Sequence, residues 1–484
     1  MNFENLKHGL RGEVIARSDS AYREARERLL WNGLKPDRYP QLIVRAAGVE
    51  DVQKTVRFAA TSGIQLSVRG GGHNWSGIAL QEGIVLDLSA LNHVRIDPER
   101  RIANIGPAVR NRALAQELAT HGLAFPLGHC ESVPLSGYLL GGGFGWNSGA
   151  WGVACFGIES AEVVMADGEV RQVSETENPD IFWAVRGAGP EFLGVVTAYT
   201  LRLQPLPRAI TTSVWTYPAE AIGEVDRWIH KTMAVAPRNV EFTLKISNPP
   251  PPLAEKADKV VTGIATVFAD DQHEARETLA RIAVAAPAGA LDVQENLPTP
   301  FDVLYDIIAQ FFPEGHRYSV DTFWAAPGSE GFLARLASET AKAPSPRSFS
   351  LGVVLPPASG SNALPDAAFS MVGPIFACSY AIWDDQAGDE ENINWLRGTA
   401  GQLAPITIGA YVGEADLNRQ GRLPRCFSAE AWNRLKALQA KYDPSGIFRT
   451  AQSLASIPEP TAAAQLQHLA HDHKPRGHDL QFSP

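Results

Sequence analysis

From Ser132 to Ile158 the chain carries no charged side chain, an uncharged run long enough to span a bilayer. It is a poor membrane helix all the same, because it holds eight glycines together with Asn147 and several serines. Each glycine inside a helix costs roughly 0.5–1 kcal/mol relative to alanine. Such a density is retained where the backbone turns sharply or approaches something closely, and four of the eight fall in Gly141-Gly142-Gly143-Phe144-Gly145. Backbone amides left bare in this way suit a flat or phosphate-bearing ligand.

A second cluster, Arg69-Gly70-Gly71-Gly72-His73-Asn74, follows directly on the strand-like run IQLSVR. Successive glycines let N–H groups converge on an anion such as a dinucleotide phosphate. The G-x-G-x-x-G spacing is not met, since position 75 is Trp, and no G-K-[ST] follows. The pattern alone therefore fits either a phosphate cradle or a structural turn beside a buried histidine. Between the two clusters stand Gly128-His129-Cys130 and then Ser136-Gly137. Read alone, Cys130 is either a small buried apolar residue or a reactive sulfur, and His129 either polarises it or packs.

Composition closes off other classes. The 484 residues, 45% apolar and 20% charged, describe a globular protein of two or three folding units. A formal charge of −10 leaves no surplus of Lys and Arg for phosphate backbones, so nucleic acid is not an expected partner. The four cysteines, 130, 155, 378 and 426, make neither a disulfide framework nor a paired metal-ligand spacing, so no metal is expected. The first thirty residues are charged throughout and lack the apolar core of a signal peptide, which points to a cytoplasmic protein without membrane association.

Along the chain, residues 42–68 read as a βαβ-like unit whose helix stops at Gly63. A hairpin is expected on Asp167-Gly168, then a β-rich run ended by Pro205 and Pro207. The pattern shifts near 208 to longer strands (240–247, 259–268) and a helix at 274–287, with Pro249 to Pro252 as a stiff surface connector. A last helix at 428–442 has Ser428 as its N-cap. The division is 1–208, 209–408, 409–457 returning to the first unit, and a tail, 458–484, whose His468, His471, His473 and His478 read as solvated and disordered rather than metal-binding.

Six segments in order, R-G-G-G-H at 69–73, G-H-C at 128–130, GGGFG at 141–145, ENPDIFWAVRGAG at 177–189, GVVTAYTLRL at 194–203 and KYDPSGIFR at 441–449, resemble the berberine-bridge-enzyme-like branch of the vanillyl-alcohol-oxidase flavoprotein superfamily. The resemblance implies an α+β, two-domain PCMH-type FAD-binding fold, with an antiparallel-sheet substrate domain backed by helices and the substrate between sheet and flavin. It implies a bicovalent FAD, with His73 bonded to the flavin 8α-methyl group and Cys130 to C6. Arg69, Gly70, Gly71, Gly72, Asn74, Ser76, Gly128, Ser136, Gly137, Gly141, Gly142 and Gly143 would line the cofactor, with Gly194, Val195 and Val196 flanking its adenine half. Glycosylation of the Asn74-Trp75-Ser76 sequon would block such a site.

The resemblance further implies hydride transfer from an alcohol, hemiacetal or amine carbon of a small metabolite, with O₂ reduced to H₂O₂. Val133 matches a position where a small side chain admits O₂. The family's usual Y-x-N-[YF], where a Tyr in many relatives assists deprotonation of the substrate hydroxyl, reads Tyr411-Val412-Gly413-Glu414, so Tyr411 is a catalytic and cofactor-binding candidate while the Asn and second aromatic are lost. Glu414 is then either the catalytic base, if burial raises its pKa, or a surface glutamate in a turn. Phe144 replaces a second active-site Tyr of some relatives, and Tyr138 either hydrogen-bonds the ribityl chain or substrate or simply packs. Gln310, Tyr318 and Asp321 are candidate substrate contacts on a strand facing the ring. A dehydrogenase using another acceptor, or a flavin-binding protein without turnover, are the alternatives.

Overall fold

The computed structural model describes residues 4–356 and 364–452, so the histidine-rich tail lies outside the described residues. Of the four sheets among the described residues, the three larger ones organise the fold. The first runs in the order Glu13–Ala16, Leu42–Arg45, Ile84–Asp87, Leu66–Arg69, its last three strands parallel. Helix Val49–Ser62 makes the crossover expected between strands 42–45 and 66–69, and it ends where Gly63 takes φ +64°. A parallel crossover of this kind requires a helix-length connection.

The second sheet is antiparallel, in the order Val94–Asp97, Ile102–Ile105, Gly194–Arg202, Ile158–Met165, Val170–Ser174. Its last pair turns on Asp167-Gly168, with Gly168 at φ +75°. The far end of the chain returns to the first sheet. Leu66 N–H donates to the Ile447 carbonyl at 2.7 Å and Arg449 N–H to the Leu66 carbonyl at 2.7 Å. Helix Ala429–Tyr442 precedes this contact, and the Ser428 side chain accepts from Ala431 N–H as an N-cap.

The middle of the chain forms an eight-stranded antiparallel sheet in the order Asp292–Pro298, Ala209–Pro218, Val260–Ala269, Val240–Ser247, Phe349–Val354, Ile375–Trp383, Arg317–Ala325, Thr407–Gly409. Alternation decides which face each side chain takes. In Val240–Ser247 the residues Val240, Phe242, Leu244 and Ile246 are buried with helices Ile222–Met233, Gln272–Val284 and Phe332–Thr340 in one apolar core. Glu241, Thr243, Lys245 and Ser247 face the other way, toward the glycine-rich loops of the first two sheets.

One expectation about the middle segment fails, since Gln310 does not lie on a strand. Residues 301–309 form a helix, Phe301–Ala309, and the strand begins only at Arg317. Apolar side chains at 301, 304, 305 and 308 repeat with helical spacing, which the aromatic content obscured. The proline run does lie at the surface, with Pro250, Pro251 and Pro252 exposed, and Pro250 and Pro252 also border the large cavity described next.

Candidate active site

Between the glycine loops and the open face of the eight-stranded sheet lies a cavity of about 1160 Å³. Its lining brings together Gly70–Asn74, Gly128–Pro134, Ser136, Gly137, Tyr138, Gly141, Gly194, Val196 and Tyr411–Glu414. Segments separated by hundreds of residues thus converge on one space.

The 69–74 loop is held from behind. Arg69 does not reach the cavity; its guanidinium donates to Asp87 at 2.8 Å and to the Leu29 carbonyl at 2.8 Å, fastening the loop to strand and N-terminal segment. Gly72 sits at φ +72°, and a Cβ there would lie 1.9 Å from the Leu29 carbonyl oxygen. Ser76 is likewise buried behind the loop, its hydroxyl accepting from Leu417 N–H at 2.9 Å. These two predicted cofactor contacts are loop anchors instead. The N–H groups of Gly71, Gly72, His73 and Asn74 donate to no group among the described residues.

His73 stacks on Trp31, ring centroids 5.5 Å apart at 23°. Burial, with the nearby Arg110 and Arg69 charges, pulls its pKa down to about 4, so the imidazole is neutral at pH 7. Cys130 is held by a clamp that sequence reading missed. Asn111, fully buried at the start of helix Asn111–Ala119, donates Nδ2–H to the Cys130 carbonyl at 2.9 Å, accepts from Gly128 N–H at 3.2 Å, and sends its own N–H to the Val133 carbonyl at 3.0 Å. An asparagine on the same helix face as Leu114, Ala115 and Leu118 was the available signal. Burial and the carboxylates of Glu414 and Glu131 push the Cys130 thiol up to about 12. His129 packs on Trp146 at 4.0 Å and meets Glu241 Oε1 at 3.1 Å.

The 141–145 run divides. Gly141 lines the cavity, whereas Gly142 and Gly143 lie behind it. A Cβ on Gly142 would strike the Phe369 ring at 2.5 Å, and Gly143 N–H donates to the Tyr411 hydroxyl at 3.0 Å. Those two glycines shape the loop without facing the cavity. Val195 is also turned away, into the apolar core under the first sheet, while its neighbours Gly194 and Val196 line the space.

Glu414 is inside the cavity, which removes the surface-turn alternative. Its Oε2 accepts from the Tyr380 hydroxyl at 3.2 Å and the Cys378 thiol at 3.5 Å, and burial raises its pKa. Tyr411 lines the cavity too, but its hydroxyl is engaged by the N–H groups of Gly143 and Phe144. The Tyr138 hydroxyl donates to the Pro126 carbonyl at 2.7 Å, so its ring faces the cavity and its polar end does not.

The three predicted substrate contacts are not in the cavity wall. Gln310 is exposed at the end of helix Phe301–Ala309. Tyr318 packs behind the wall against Trp31 and Trp75, its hydroxyl donating to the Pro313 carbonyl. Asp321 points the opposite way from Thr322 and is buried against Arg422 Nε at 2.8 Å. The sheet contributes Tyr380, Cys378 and Lys245 to this region instead.

A family model described as "FAD binding domain" matches residues 40–174, and one described as "Berberine and berberine like" matches residues 410–455. The FAD-linked oxidoreductase nodO of Hypoxylon pulicicidum is 31% identical over 434 residues, covering 88% of this chain and 94% of that protein. The chain belongs to the berberine-bridge-enzyme-like family of FAD-linked oxidoreductases. Within this family, (R)-6-hydroxynicotine oxidase of Paenarthrobacter nicotinovorans is 40% identical over 217 residues, 45% of this chain and 46% of that protein. The crystal structure of 6-hydroxy-D-nicotine oxidase from Arthrobacter nicotinovorans superposes with a TM-score of 0.79 at 26% identity, covering 91% of this chain and 97% of that one.

The cavity fits FAD on its own terms. Its volume exceeds the roughly 300–1,000 Å³ of common small-ligand pockets. The N–H groups of 71–74, on a loop that lines the cavity, have no acceptor among the described residues and are available to a phosphate, and a Cβ on cavity-lining Gly137 would meet nothing within 4 Å. Among the described residues no helix is long and apolar enough to cross a membrane, and no group of three or more His, Cys, Asp or Glu side chains is placed to hold a metal ion.

Proposed function

We propose that the protein is an FAD-dependent oxidase acting on an alcohol, hemiacetal or amine carbon of a small metabolite. The observation that carries this reading is the convergence of His73, Cys130 and Glu414 on one cavity. In this reading the 70–74 loop, Gly128, Val133, Ser136, Gly137, Gly141, Gly194 and Val196 hold FAD, with covalent bonds from His73 and Cys130. FAD held there would supply the redox chemistry, accepting a hydride from the substrate and returning two electrons to O₂ as H₂O₂.

The chain's own residues supply the proton chemistry. A carboxylate deprived of water by burial is a stronger base than a solvated one, and Glu414 meets that description. Tyr380 and Cys378 donate to Glu414 Oε2, which fixes the carboxyl group. The Tyr411 hydroxyl, locked between two backbone N–H groups, holds the 411–414 turn against the 143–144 backbone. Val133, a small side chain in the cavity wall, would admit O₂.

The test is aerobic peroxide release across a panel of alcohols, sugars and amines, followed by stopped-flow reoxidation of the reduced enzyme. Peroxide with rapid reoxidation is the expected result. Slow reoxidation by air alongside rapid reduction of an artificial acceptor would overturn the oxidase assignment in favour of a dehydrogenase. No reduction by any panel member would favour a flavin-binding protein without turnover. In this reading the protein works in the cytoplasm on a small-molecule substrate with O₂ as the acceptor.

A further inference from the structure

Two charged side chains on strand Val240–Ser247 face the cavity, and their surroundings differ. Glu241 is fully engaged, meeting His129 at 3.1 Å through Oε1 and accepting from Asn147 N–H at 3.3 Å through Oε2. Lys245 makes no ion pair and no hydrogen bond among the described residues. Its ammonium lies 3.8 Å from the Phe311 ring centroid and 5.2 Å from that of Phe349. Aromatic faces replace only part of the hydration an ammonium loses on burial. Burial accordingly draws its pKa down to about 8. Its three donors lie in a space whose nearer wall includes Leu351, Val353, Phe311 and Phe312, with the uncharged Thr262 beside it on the neighbouring strand.

We propose that Lys245 is a specificity-determining residue that binds a carboxylate of the substrate. This rests on the reading of the cavity as a substrate site and adds the substrate class to it. A single ammonium balances a monoanion, whereas a phosphate dianion here would keep an uncompensated charge in apolar surroundings, which is costly. Register places this contact relative to the reacting end. Lys245 pairs with Leu351, and Leu351 pairs with Cys378, so the three stand in line across adjacent strands. Two strand spacings put Lys245 and Cys378 roughly 10 Å apart at the backbone, and the Cys378 thiol contacts Glu414. The substrate is then an apolar acid whose carboxylate sits on the order of 10 Å from the hydroxyl or amine that Glu414 deprotonates.

The experiment is calorimetric titration of the flavin-loaded protein with 4-phenylbutyrate and 6-phenylhexanoate, each beside its carboxamide. We expect at least one acid to bind about tenfold or more tightly than its amide, as a charge-assisted hydrogen bond provides. Lys245→Met should erase that preference while leaving amide affinity within about twofold, and Lys245→Arg should retain most of it. Equal binding of acid and amide, no acid binding at all, or an acid preference that survives Lys245→Met would each overturn the proposal. The readout needs no turnover. An acid preference without peroxide would sink the oxidase reading and leave Lys245 standing, and peroxide without an acid preference would do the reverse.

Discussion

At the scale of single residues, the cavity works by setting protonation states through burial. His73 is kept neutral, which leaves a ring nitrogen lone pair free to bond, and Glu414 is kept above the ordinary glutamate range. The sign for activity follows directly. A base must be ionised, and a raised pKa means the ionised fraction disappears at a higher pH than for a solvated glutamate. We expect kcat/KM to fall as pH drops through the Glu414 pKa, at a value above the ordinary range near 4.5. Glu414→Gln should lower kcat by roughly 10²–10⁴-fold and abolish that acid limb, measured in initial-rate profiles against pH. A Glu414→Gln enzyme that kept both rate and limb would assign the proton to another group. Gly72→Ala is a different kind of change. It demands positive φ from alanine and drives a Cβ into the Leu29 carbonyl, so the 69–74 loop must shift and the variant should purify with little bound flavin, read from its visible absorbance.

At the scale of elements, the short-range patterns were legible and the long-range partners were not. The 42–68 crossover, the Asp167-Gly168 hairpin and the Ser428 cap follow from local periodicity and turn chemistry, and all three form. Asp321 shows why the rest was hidden. An acidic residue among aromatics on a strand reads as a ligand contact, but its face is set by register with Ile375–Trp383, where it pairs with Ser379 rather than with Tyr380 or Cys378. That register is fixed by residues far away in sequence. Asp321 therefore meets Arg422 in the protein interior, where burial raises its pKa despite the guanidinium. Asp321→Ala would leave Arg422 buried and uncompensated, and we expect a loss of about 3–5 kcal/mol in denaturant unfolding. The loss should be larger than for Gln310→Ala, whose exposed side chain should cost no more than about 0.5 kcal/mol. Lys245 was hidden for a related reason. The alternation in VEFTLKIS gives a polar face, and only the loops packed opposite decide that this face meets a cavity rather than bulk water.

At the scale of the whole molecule, the layers on either side of the cavity also meet directly around it, as where Phe144 packs on Trp324 and Phe376 and Arg112 pairs with Asp302 and Asp306, and an occupant adds a further link between them. Glycine loops of the first two sheets form one wall, the eight-stranded sheet forms the other, and the C-terminal segment contributes Tyr411 and Glu414 before pairing with Leu66. A ligand bound to the folded state alone stabilises it by RT ln(1 + [L]/Kd), about 2.7 kcal/mol at a hundredfold excess over Kd. A covalent ligand cannot be diluted away, so the stabilisation no longer depends on free FAD concentration. This separates the two proposed tethers experimentally. The unmutated protein should stay yellow after denaturation and carry the mass of FAD, as should His73→Ala through Cys130 and Cys130→Ala through His73. The His73→Ala/Cys130→Ala double variant should release FAD on denaturation, and its Tm alone should climb with added FAD. Free FAD from the denatured unmutated protein would refute both bonds. Release from only one single variant would leave the tether removed in that variant as the one that forms.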